Sequence, residues 1–515
     1  MSTDPGLHTL GRWIADRGAV TPHRVAIDTA IDSPDGVASY GELAARAAAL
    51  ADRLRRAGAR RGDRVATLTG NSADHVVLLF ACAQAGLVLA PLNWRLTAPE
   101  LAYQLDDCAP VLLAIDEGRR ALAKAAIGAA HGAATSVMLG ASGIEASVPP
   151  LGPAAEPAAV ADDDPLLLIY TSGTTGRPKG ALLTHANCFW TNLSLGLMTG
   201  MSGDDVVLAL LPQFHVGGWN VQPLLAWWSG AKVIMPDGFD PAATLRLIAG
   251  KRITTMMGVP ATYQFLAEHP DFATTDLTSL RLAIVGGAPM PESLLHTYLD
   301  RGVQLTQGYG LTEAAPNVLC LPPEDATARL GWAGKPYPHV RVALAAADGG
   351  ELLDGAGVGE LLVRGPNVFT GYHGLPEATA EAARGGWLHT GDIAERDVDG
   401  YYRLRGRLKD MYVSGGENVY PAEVESVLAA HPDIVEAAVI GLPDPRWGEC
   451  GHAVVVLRAG SELDAAAVRD YCRAHLAKFK VPTTVTFVAA LPRSGVGKID
   501  KARLRHHHRQ TGEAS

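Results

Sequence analysis

A segment rich in glycine and hydroxyl side chains carries the strongest chemical signal in the sequence. It reads Tyr170-Thr-Ser-Gly-Thr-Thr-Gly-Arg-Pro-Lys-Gly180 and follows the apolar run 166–169. Glycines let backbone N–H groups approach an anion, hydroxyl groups add hydrogen-bond donors, and a lysine supplies a positive charge. The pattern predicts a phosphate-binding loop rather than a surface turn, with candidate contact residues Thr171, Ser172, Gly173, Thr174, Thr175, Gly176 and Lys179.

This loop differs from the Walker loop of P-loop nucleoside triphosphatases. The spacing Gly-x-x-x-x-Gly-Lys-Ser/Thr is absent from it, and it is also absent around a second glycine-flanked lysine, Lys498, near the C-terminus. The sequence therefore argues against a P-loop triphosphatase. A lysine near a chain end usually faces solvent, so Lys498 needs further support before it is assigned a role.

Six motifs occur in a fixed order along the chain and carry a family resemblance. They are the loop above, Gln307-Gly-Tyr-Gly-Leu-Thr-Glu313, Trp387-Leu-His-Thr-Gly-Asp392, Gly406-Arg-Leu-Lys-Asp-Met411, Ser414-Gly-Gly-Glu-Asn418 and Pro492-Arg-Ser-Gly-Val-Gly-Lys498. With them the chain resembles, essentially end to end, the adenylate-forming (AMP-binding) superfamily. It looks most like the bacterial fatty-acyl-CoA and feruloyl-type aryl-CoA synthetases, two subgroups that share these motifs.

The resemblance implies a nucleotide site for ATP. Glu313 is a hard oxygen ligand suited to Mg²⁺ on the ATP phosphates, and the Thr312 hydroxyl can reach a phosphate oxygen. A helix-capping Thr/Glu pair is the alternative. Asp392 would accept hydrogen bonds from the ribose hydroxyls, and Arg407 would donate to ribose and phosphate. Tyr309 would stack on adenine, although a core tyrosine is equally compatible; the remaining adenine-loop residues are Gly287, Ala288, Gln307, Gly308 and Gly310.

The resemblance also implies two half-reactions in one site. Lys498 would stabilise the charge that develops between a carboxylate oxygen and the α-phosphate when acyl-AMP forms. Lys409 would be the hinge about which a small C-terminal domain rotates. That rotation would replace Lys498 with Gly415 and Gly416, which would line the tunnel for the CoA thiol in the second half-reaction.

The acyl substrate is expected to bind near the segment Leu211-Pro-Gln-Phe-His215-Val-Gly-Gly-Trp219-Asn220. In the family this segment lines the acyl pocket and gates the thiol, so His215 is expected to be a gate and pocket wall, less often a base. Relatives that activate amino acids place an aspartate just after the phenylalanine, and it is missing here. An apolar aliphatic or aryl acid fits best, because the expected lining is Val216, Trp219, Val259 and Ala314. Trp227 and Trp228 either shorten the pocket or pack in the core.

The elements that must position these residues are predicted to form an α/β fold. A leucine stripe from Tyr40, ending at Gly58, indicates an amphipathic helix, and short apolar runs alternate with helical segments as in parallel sheets covered by helices. A β-rich subdomain is expected after about residue 340, and a small mobile α+β domain at the end. The predicted domains are 1–406 and 410–515, with a hinge at 407–409. The basic, histidine-containing tail after Lys498 is expected to be frayed.

Length and composition limit the classes of protein to which the chain could belong. The 515 residues are 48% hydrophobic and 19% charged, with a net charge of −10, which argues against nucleic acid as a partner. The six cysteines are scattered and expected to be reduced, and the sequence contains neither a signal-peptide core nor an apolar run of membrane-spanning length. We expect a cytoplasmic enzyme; a homo-oligomer is compatible with the sequence.

The predicted function is ATP-dependent ligation of a carboxylic acid to CoA, with ATP, Mg²⁺ and CoA as the cofactors. A stand-alone adenylation enzyme that loads an acyl-carrier protein is the main alternative. The chain contains no carrier domain, which leaves a carrier supplied by another protein open. A noncatalytic nucleotide-binding protein would be expected to lack Lys498, Glu313 or Asp392, and all three are present. A generic ATPase or kinase would not require the acid for release of pyrophosphate.

Overall fold

The computed structural model describes residues 6–29, 36–132, 135–139, 148–171, 177–288, 290–346, 351–414, 417–493 and 498–512. In chain order its strands are β1 (Val25–Asp28), β2 (Val37–Ser39), β3 (Arg64–Leu68), β4 (Val88–Pro91), β5 (Leu112–Ile115), β6 (Ser136–Met138), β7 (Pro165–Thr171), β8 (Lys179–Thr184), β9 (Val206–Leu208), β10 (Lys232–Ile234), β11 (Thr255–Gly258), β12 (Leu282–Val285), β13 (Leu305–Gly310), β14 (Asn317–Cys320), β15 (Lys335–Pro336), β16 (Arg341–Ala345), β17 (Gly357–Arg364), β18 (Gly371–Tyr372), β19 (Leu388–Arg396), β20 (Tyr402–Arg407), β21 (Tyr412–Ser414), β22 (Glu417–Val419), β23 (Ile434–Asp444), β24 (Gly448–Leu457) and β25 (Thr484–Phe487).

The α-helices lie between and after these strands. In chain order they are α1 (Leu10–Val20), α2 (Tyr40–Ala57), α3 (Ala73–Ala85), α4 (Ala98–Cys108), α5 (Arg120–Ala129), α6 (His185–Thr199), α7 (Gly217–Asn220), α8 (Pro223–Ser229), α9 (Pro241–Gly250), α10 (Pro260–Glu268), α11 (Glu292–Leu299), α12 (Pro376–Ala382), α13 (Pro421–Ala429), α14 (Ala465–His475) and α15 (Lys501–Gly512).

Two largely parallel sheets form the centre of the large domain. Among the described residues, one sheet has seven strands in the order β18-β8-β7-β4-β3-β5-β6 and the other has nine in the order β15-β14-β13-β12-β11-β9-β10-β1-β2. Their facing sides share the largest hydrophobic cluster with helices α1, α2, α3, α6 and α8. Helices α4 and α5 cover the far side of the first sheet, and α9, α10 and α11 cover that of the second. The predicted α/β class is therefore confirmed.

The helix predicted from Tyr40 shows why the sequence folds in this way. Ser39 accepts a hydrogen bond from the backbone N–H of Glu42, and the Glu42 carboxylate accepts one from the Ser39 N–H, so that the two residues form a capping box. Gly58 ends the helix in the left-handed conformation that glycine adopts without strain. The stripe that includes Leu43 and Leu50 is fully buried, as its helical spacing predicts.

The smaller sheets follow in the second half of the chain. The expected β-rich region is an antiparallel four-stranded sheet in the order β16-β17-β19-β20. The C-terminal α+β unit has a five-stranded sheet, β22-β21-β24-β23 with β25 beside β24. Helices α13 and α14 share a hydrophobic cluster with this sheet, and Leu504 of α15 packs with Ile440 in a second cluster.

The expectation of a frayed basic tail is wrong for residues up to 512. Asp500 caps α15 by accepting a hydrogen bond from the Arg503 N–H at 3.0 Å. Leu504 is 8% exposed, Lys501 pairs with Glu425, and the ring centroids of His508 and His452 lie 4.6 Å apart. These contacts attach α15 to the rest of the C-terminal unit. Among the described residues, no group of three or more metal-ligating side chains is present.

The six cysteines and the helices bear on two further expectations. All six cysteines are free and buried, as expected for reduced thiols. None of the helices built from the described residues combines the length and the apolar character that a membrane span needs.

Candidate active site

The adenine-loop residues meet at one edge of the nine-stranded sheet. Strands β12 and β13 are parallel neighbours with Val285 beside Gln307, so the loops that follow them leave the sheet side by side. Gly287 has φ of 82°, and a Cβ at Gly310 would lie 1.7 Å from the Pro316 carbonyl oxygen. Gly287 and Ala288 are exposed. The structure thus brings together the sequence-predicted residues Gly287, Ala288 and 307–310, with Gly287 and Ala288 at the surface.

Asp392 is a buried carboxylate with two partners. It is 6% exposed, the Tyr309 hydroxyl donates to its Oδ2 at 2.5 Å, and Arg407 Nε lies 2.6 Å from its Oδ1. Burial raises the pKa of Asp392, whereas the Arg407 guanidinium and the Tyr309 hydroxyl act to lower it. Arg407 is directly opposite Asp392 on the neighbouring strand. The three residues chosen for ribose and adenine therefore form one hydrogen-bonded group.

A residue that sequence reasoning missed holds the turn before Asp392. Glu360 is 4% exposed, accepts a hydrogen bond from the Gly391 N–H at 3.0 Å, and lies 2.9 Å from Nδ1 of His389. Gly391 has φ of 67°, which glycine adopts at little cost. Glu360 lies on β17, the neighbour of β19. A strand pairing of this kind has no signal in the local sequence.

Glu313 lies next to the two ends of the phosphate loop. It is in a short 3₁₀ turn, Thr312–Ala314, and its Oε1 accepts hydrogen bonds from the Tyr372 hydroxyl at 2.8 Å and from the Thr171 hydroxyl at 3.5 Å. Lys179 is paired with Thr171 across β7 and β8, and its Nζ lies 5.0 Å from the centroid of the Tyr372 ring. Residues 172–176, which include Ser172, Gly173, Thr174, Thr175 and Gly176, lie outside the described residues.

The donor set around Glu313 fits Mg²⁺ held together with a nucleotide. Mg²⁺ usually keeps several waters and takes one or two protein carboxylates plus substrate phosphates. Glu313 provides one carboxylate, and Thr312 and Thr171 place hydroxyl groups close by in the chain and in space. An all-protein cage is not required for Mg²⁺ bound in this way.

Lys498 of the small domain reaches this region. Burial lowers its pKa and the charge of Arg407 acts in the same direction, whereas the carboxylates of Asp392 and Glu313 oppose both. Burial also lowers the pKa of His215 to about 4, with Lys498 and Arg95 adding positive charge nearby. By its surface area Lys498 is an exposed residue, so its charge is only partly shielded from water. The structure thus places Asp392, Glu313 and His215 each within electrostatic range of Lys498. The lowered pKa of His215 keeps it a neutral imidazole at pH 7.

The region expected to hold the acyl group contains a small crevice. Its walls are residues 208–211, Gly217, Gly218, Pro223 and Met257, with Gln222 as the polar member. A Cβ built on Gly286 would lie 3.0 Å from Cε of Met257. Because Gly286 directly precedes Gly287, the crevice adjoins the adenine loop.

The predicted pocket residues occupy different depths. Val259 is 37% exposed and lies next to Gly287, Val216 and Ala314 are buried, and the Trp219 indole is fully buried and donates to the Gln213 carbonyl oxygen at 2.6 Å. None of the predicted pocket residues is among those that line the crevice: His215, Val216, Trp219, Val259 and Ala314 all lie outside its walls.

Trp227 and Trp228 belong to the hydrophobic core. Trp227 donates to the Ala26 carbonyl oxygen, and Trp228 stacks on Trp13 with centroids 4.5 Å apart. Of the two interpretations left open for this pair, packing in the core is confirmed.

Asn71 holds the segment that carries His215 in place, a role that no pattern in the sequence indicates. Its Nδ2 donates to the Leu211 carbonyl oxygen and its Oδ1 accepts from the Gln213 N–H, both at 2.9 Å. Asn71 follows β3 of one large sheet, whereas Leu211 follows β9 of the other. A single amide side chain therefore ties the His215 segment to the opposite sheet.

The predicted hinge lies in a short 3₁₀ turn, Leu408–Asp410, with Lys409 exposed. Asp410 accepts a hydrogen bond from Arg505 of α15 at 2.9 Å. Arg405 contacts Glu395 on the same sheet and lies 4.0 Å from Glu423 at the start of α13. Gly415 and Gly416 lie outside the described residues. The domain boundaries and the hinge stay predictions.

Comparison with known proteins places the chain in a family. Residues 14–373 match the AMP-binding enzyme family, and residues 423–498 match the AMP-binding enzyme C-terminal domain. The chain belongs to the AMP-binding enzyme family. The prediction of an AMP-forming acyl-CoA synthetase of the bacterial type is confirmed at the level of family and enzyme class.

Individual relatives agree over nearly the whole length. A feruloyl-CoA synthase of an Amycolatopsis species is 44% identical over 96% of this chain and 98% of its own. An indoleacetate–CoA ligase of Aromatoleum aromaticum is 39% identical over 96% of this chain and 97% of its own. The crystal structure of ATP-bound MatB from Rhodopseudomonas palustris superposes with a TM-score of 0.87 at 35% identity, covering 97% of this chain and 99% of that one.

Proposed function

We propose that this chain joins an apolar aryl carboxylic acid to CoA by way of an acyl-adenylate, consuming ATP and releasing AMP and pyrophosphate. The observation that carries the proposal is the contact between the apolar crevice and the adenine loop at Met257 and Gly286. An acid seated in such a crevice would present its carboxylate beside the nucleotide. Holding two reactants in this way is a large part of catalysis.

The contacts of Asp392, Tyr309 and Glu313 support the nucleotide roles that we propose. Asp392 would exchange its contact with Arg407 or Tyr309 for the ribose hydroxyls, and Gly287, Ala288 and the 307–310 strand would hold the base. Lys179 and the phosphate loop would bind the phosphates. Mg²⁺, held by Glu313 and the phosphate oxygens with Thr312 nearby, would neutralise phosphate charge.

In the first half-reaction a carboxylate oxygen attacks the α-phosphorus of ATP, and the bond to the pyrophosphate oxygen breaks. We assign Lys498 to the charge that develops between these groups, which is supported by its electrostatic range to Asp392 and Glu313. In the second, the CoA thiolate attacks the acyl carbon and AMP leaves with the former carboxylate oxygen. His215, neutral at pH 7, would act as a wall and gate for the thiol rather than as an acid.

The exchange of half-reactions would use the hinge at Lys409, between domains 1–406 and 410–515. The contacts of Arg405 with Glu395 and Glu423, and the approach of Lys498, support an arrangement suited to the first half-reaction. Rotation would remove Lys498 and bring Gly415 and Gly416 to line the thiol's path. Interfaces of this kind commonly open and close during turnover.

An aryl acid is favoured over a fatty acid because the two relatives described above are named for aryl acids. The apolar walls of the crevice are compatible with this choice.

The test is product analysis by mass spectrometry with ATP, Mg²⁺ and CoA. The acids would be cinnamate, an aryl acetate, a short-chain acid, and a medium-chain and a long-chain fatty acid, with Lys498→Ala as the inactive control. We expect acyl-CoA and AMP with the aryl acids at a kcat/KM at least tenfold above that of the fatty acids. Turnover of fatty acids alone would overturn the aryl assignment. Acyl-AMP without acyl-CoA would favour a carrier protein as acceptor.

A further inference from the structure

The apolar crevice contains one polar side chain. Residues 208–211, Pro223 and Met257 supply hydrocarbon surface, and Gly217 and Gly218 supply backbone. Gln222 supplies an amide. Gln222 is 2% exposed. A buried amide in apolar surroundings is costly unless its polar atoms have partners, so its presence requires an explanation.

The amide is held in a fixed position with one end satisfied. Its Nε2 lies 2.5 Å from the hydroxyl oxygen of Thr255 on β11, and its backbone carbonyl accepts the first hydrogen bond of α8 from Ala226. Throughout the described ranges, no hydrogen bond reaches the amide oxygen of Gln222. If the amide nitrogen and oxygen are exchanged, the Thr255 hydroxyl donates and the NH₂ group is left over. In both cases one polar end lies without a partner in a residue that lines the crevice.

The position of Gln222 within the crevice defines what it could contact. Met257 lies against Gly286, so it forms the end of the crevice nearest to the expected nucleotide position. Gln222 lies at the start of α8 and bonds to Thr255, two residues before Met257 on the same strand. An acid with its carboxylate at the nucleotide would point its far end into the crevice that Gln222 lines.

We propose that Gln222 is a specificity residue that recognises a hydrogen-bonding substituent, such as a phenolic hydroxyl, on the end of the aryl acid remote from its carboxylate. The assignment rests on the proposed function, because it presumes an aryl acid in the crevice. A phenol both donates and accepts, so it satisfies either orientation of the amide. Sites built to bond a substrate hydroxyl discriminate strongly against the analogue that lacks it, since the site's polar group is then left buried and unpaired.

The alternative is that Gln222 only links β11 to α8 through Thr255. A structural link affects all acids equally, whereas a specificity residue changes the ratio between two acids that differ by one hydroxyl. The measured quantity is therefore the ratio of kcat/KM for 4-hydroxycinnamate to kcat/KM for cinnamate. The KM for ATP reports whether the adenylate site is intact.

The experiment compares the full-length wild type with Gln222→Met, which keeps the length of the side chain and removes the amide. We expect the wild type to favour the hydroxylated acid by about 10- to 100-fold, and Gln222→Met to bring the ratio to about one or below. Gln264→Met, a matched change at an exposed glutamine of α10 that pairs with Glu268, should keep the wild-type ratio. A second variant, Gln222→Met with Thr255→Val, removes both polar partners together and covers the case in which the single variant folds poorly.

The outcomes separate the two proposals. Equal turnover of the two cinnamates by the wild type, or an unchanged ratio in Gln222→Met, would overturn the role of Gln222 and leave the aryl-CoA ligase intact. Failure to use either cinnamate, with turnover of fatty acids, would instead overturn the proposed function. A fall in the ratio confined to the Gln222 variants is the result that we expect.

Discussion

The hydroxyl group of Tyr372 is expected to orient the carboxylate of Glu313 for the ATP-bound metal. It donates to Oε1 of Glu313 at 2.8 Å, and burial together with the Glu313 charge raises the pKa of Tyr372, so that the phenol stays a donor. Tyr372→Phe removes this bond and keeps the ring over which Lys179 lies. Hydrogen bonds to charged groups contribute about 1.5–3 kcal/mol, and partial exposure of both residues reduces this to about 1–2 kcal/mol. We therefore expect the affinity of the enzyme–ATP complex for Mg²⁺ to fall by about 5- to 30-fold in Tyr372→Phe.

The assay is ATP–pyrophosphate exchange at saturating ATP and acid as the Mg²⁺ concentration is varied. Tyr372→Phe should raise the Mg²⁺ concentration that gives half-maximal exchange, and calorimetry should show weaker binding of Mg²⁺ to the enzyme–ATP complex. Tyr372→Leu, which also removes the ring, should be worse. Tyr401→Phe, a matched change at a tyrosine that donates to Asp325, should behave as the wild type. An unchanged Mg²⁺ dependence in Tyr372→Phe would refute the reasoning, as would equal defects in the Phe and Leu variants at every Mg²⁺ concentration.

Three other predictions concern catalysis, substrate binding and pH. Lys498→Ala should slow adenylation by about 10²- to 10³-fold and spare thioester formation from supplied acyl-AMP; equal loss in both half-reactions, measured separately, would contradict the domain exchange. Asn71→Ala leaves backbone groups of Leu211 and Gln213 unpaired, and it should raise the KM for the acid by about tenfold and the KM for ATP much less; equal increases in steady-state assays would show a general defect. Burial lowers the pKa of His215 to about 4, below the 6.5 of the unfolded chain, so the unfolded state binds more protons between these two pH values. The free energy of unfolding, measured with urea, should therefore rise with pH in this range, by up to about 1.4 kcal/mol per pH unit from this group. His215→Asn should reduce that slope, and an unchanged slope would contradict the assignment.

Local rules were sufficient for most elements of the fold. The stripe from Leu43 to Leu54, the capping box at Ser39 and the left-handed Gly58 all lie within twenty residues of the chain. The same kind of information was available for the final helix, because Asp500 is an N-cap residue and Leu504 lies one turn later. The wrong expectation there came from giving the basic, terminal composition more weight than the cap.

The supporting residues of the site could not be predicted from the sequence, because their partners are distant in the chain. Tyr372 contacts Glu313 across 59 residues, and Asn71 contacts Gln213 across 142. Gln222 is a single glutamine in an apolar stretch, and its role depends on a strand that follows it by more than thirty residues. Motif residues such as Asp392 and Lys498 were found because the family resemblance identified them, and only the topology shows what holds them.

The central claim is that the acid is activated as an acyl-adenylate at this site, and oxygen transfer tests it most directly. The enzyme would be given a cinnamate labelled with ¹⁸O in the carboxylate, together with ATP, Mg²⁺ and CoA, and the products would be weighed by mass spectrometry. The account predicts one labelled oxygen in AMP, none in pyrophosphate, and a CoA thioester that keeps the other. Unlabelled AMP, or ADP with labelled phosphate, would contradict attack of the carboxylate on the α-phosphorus.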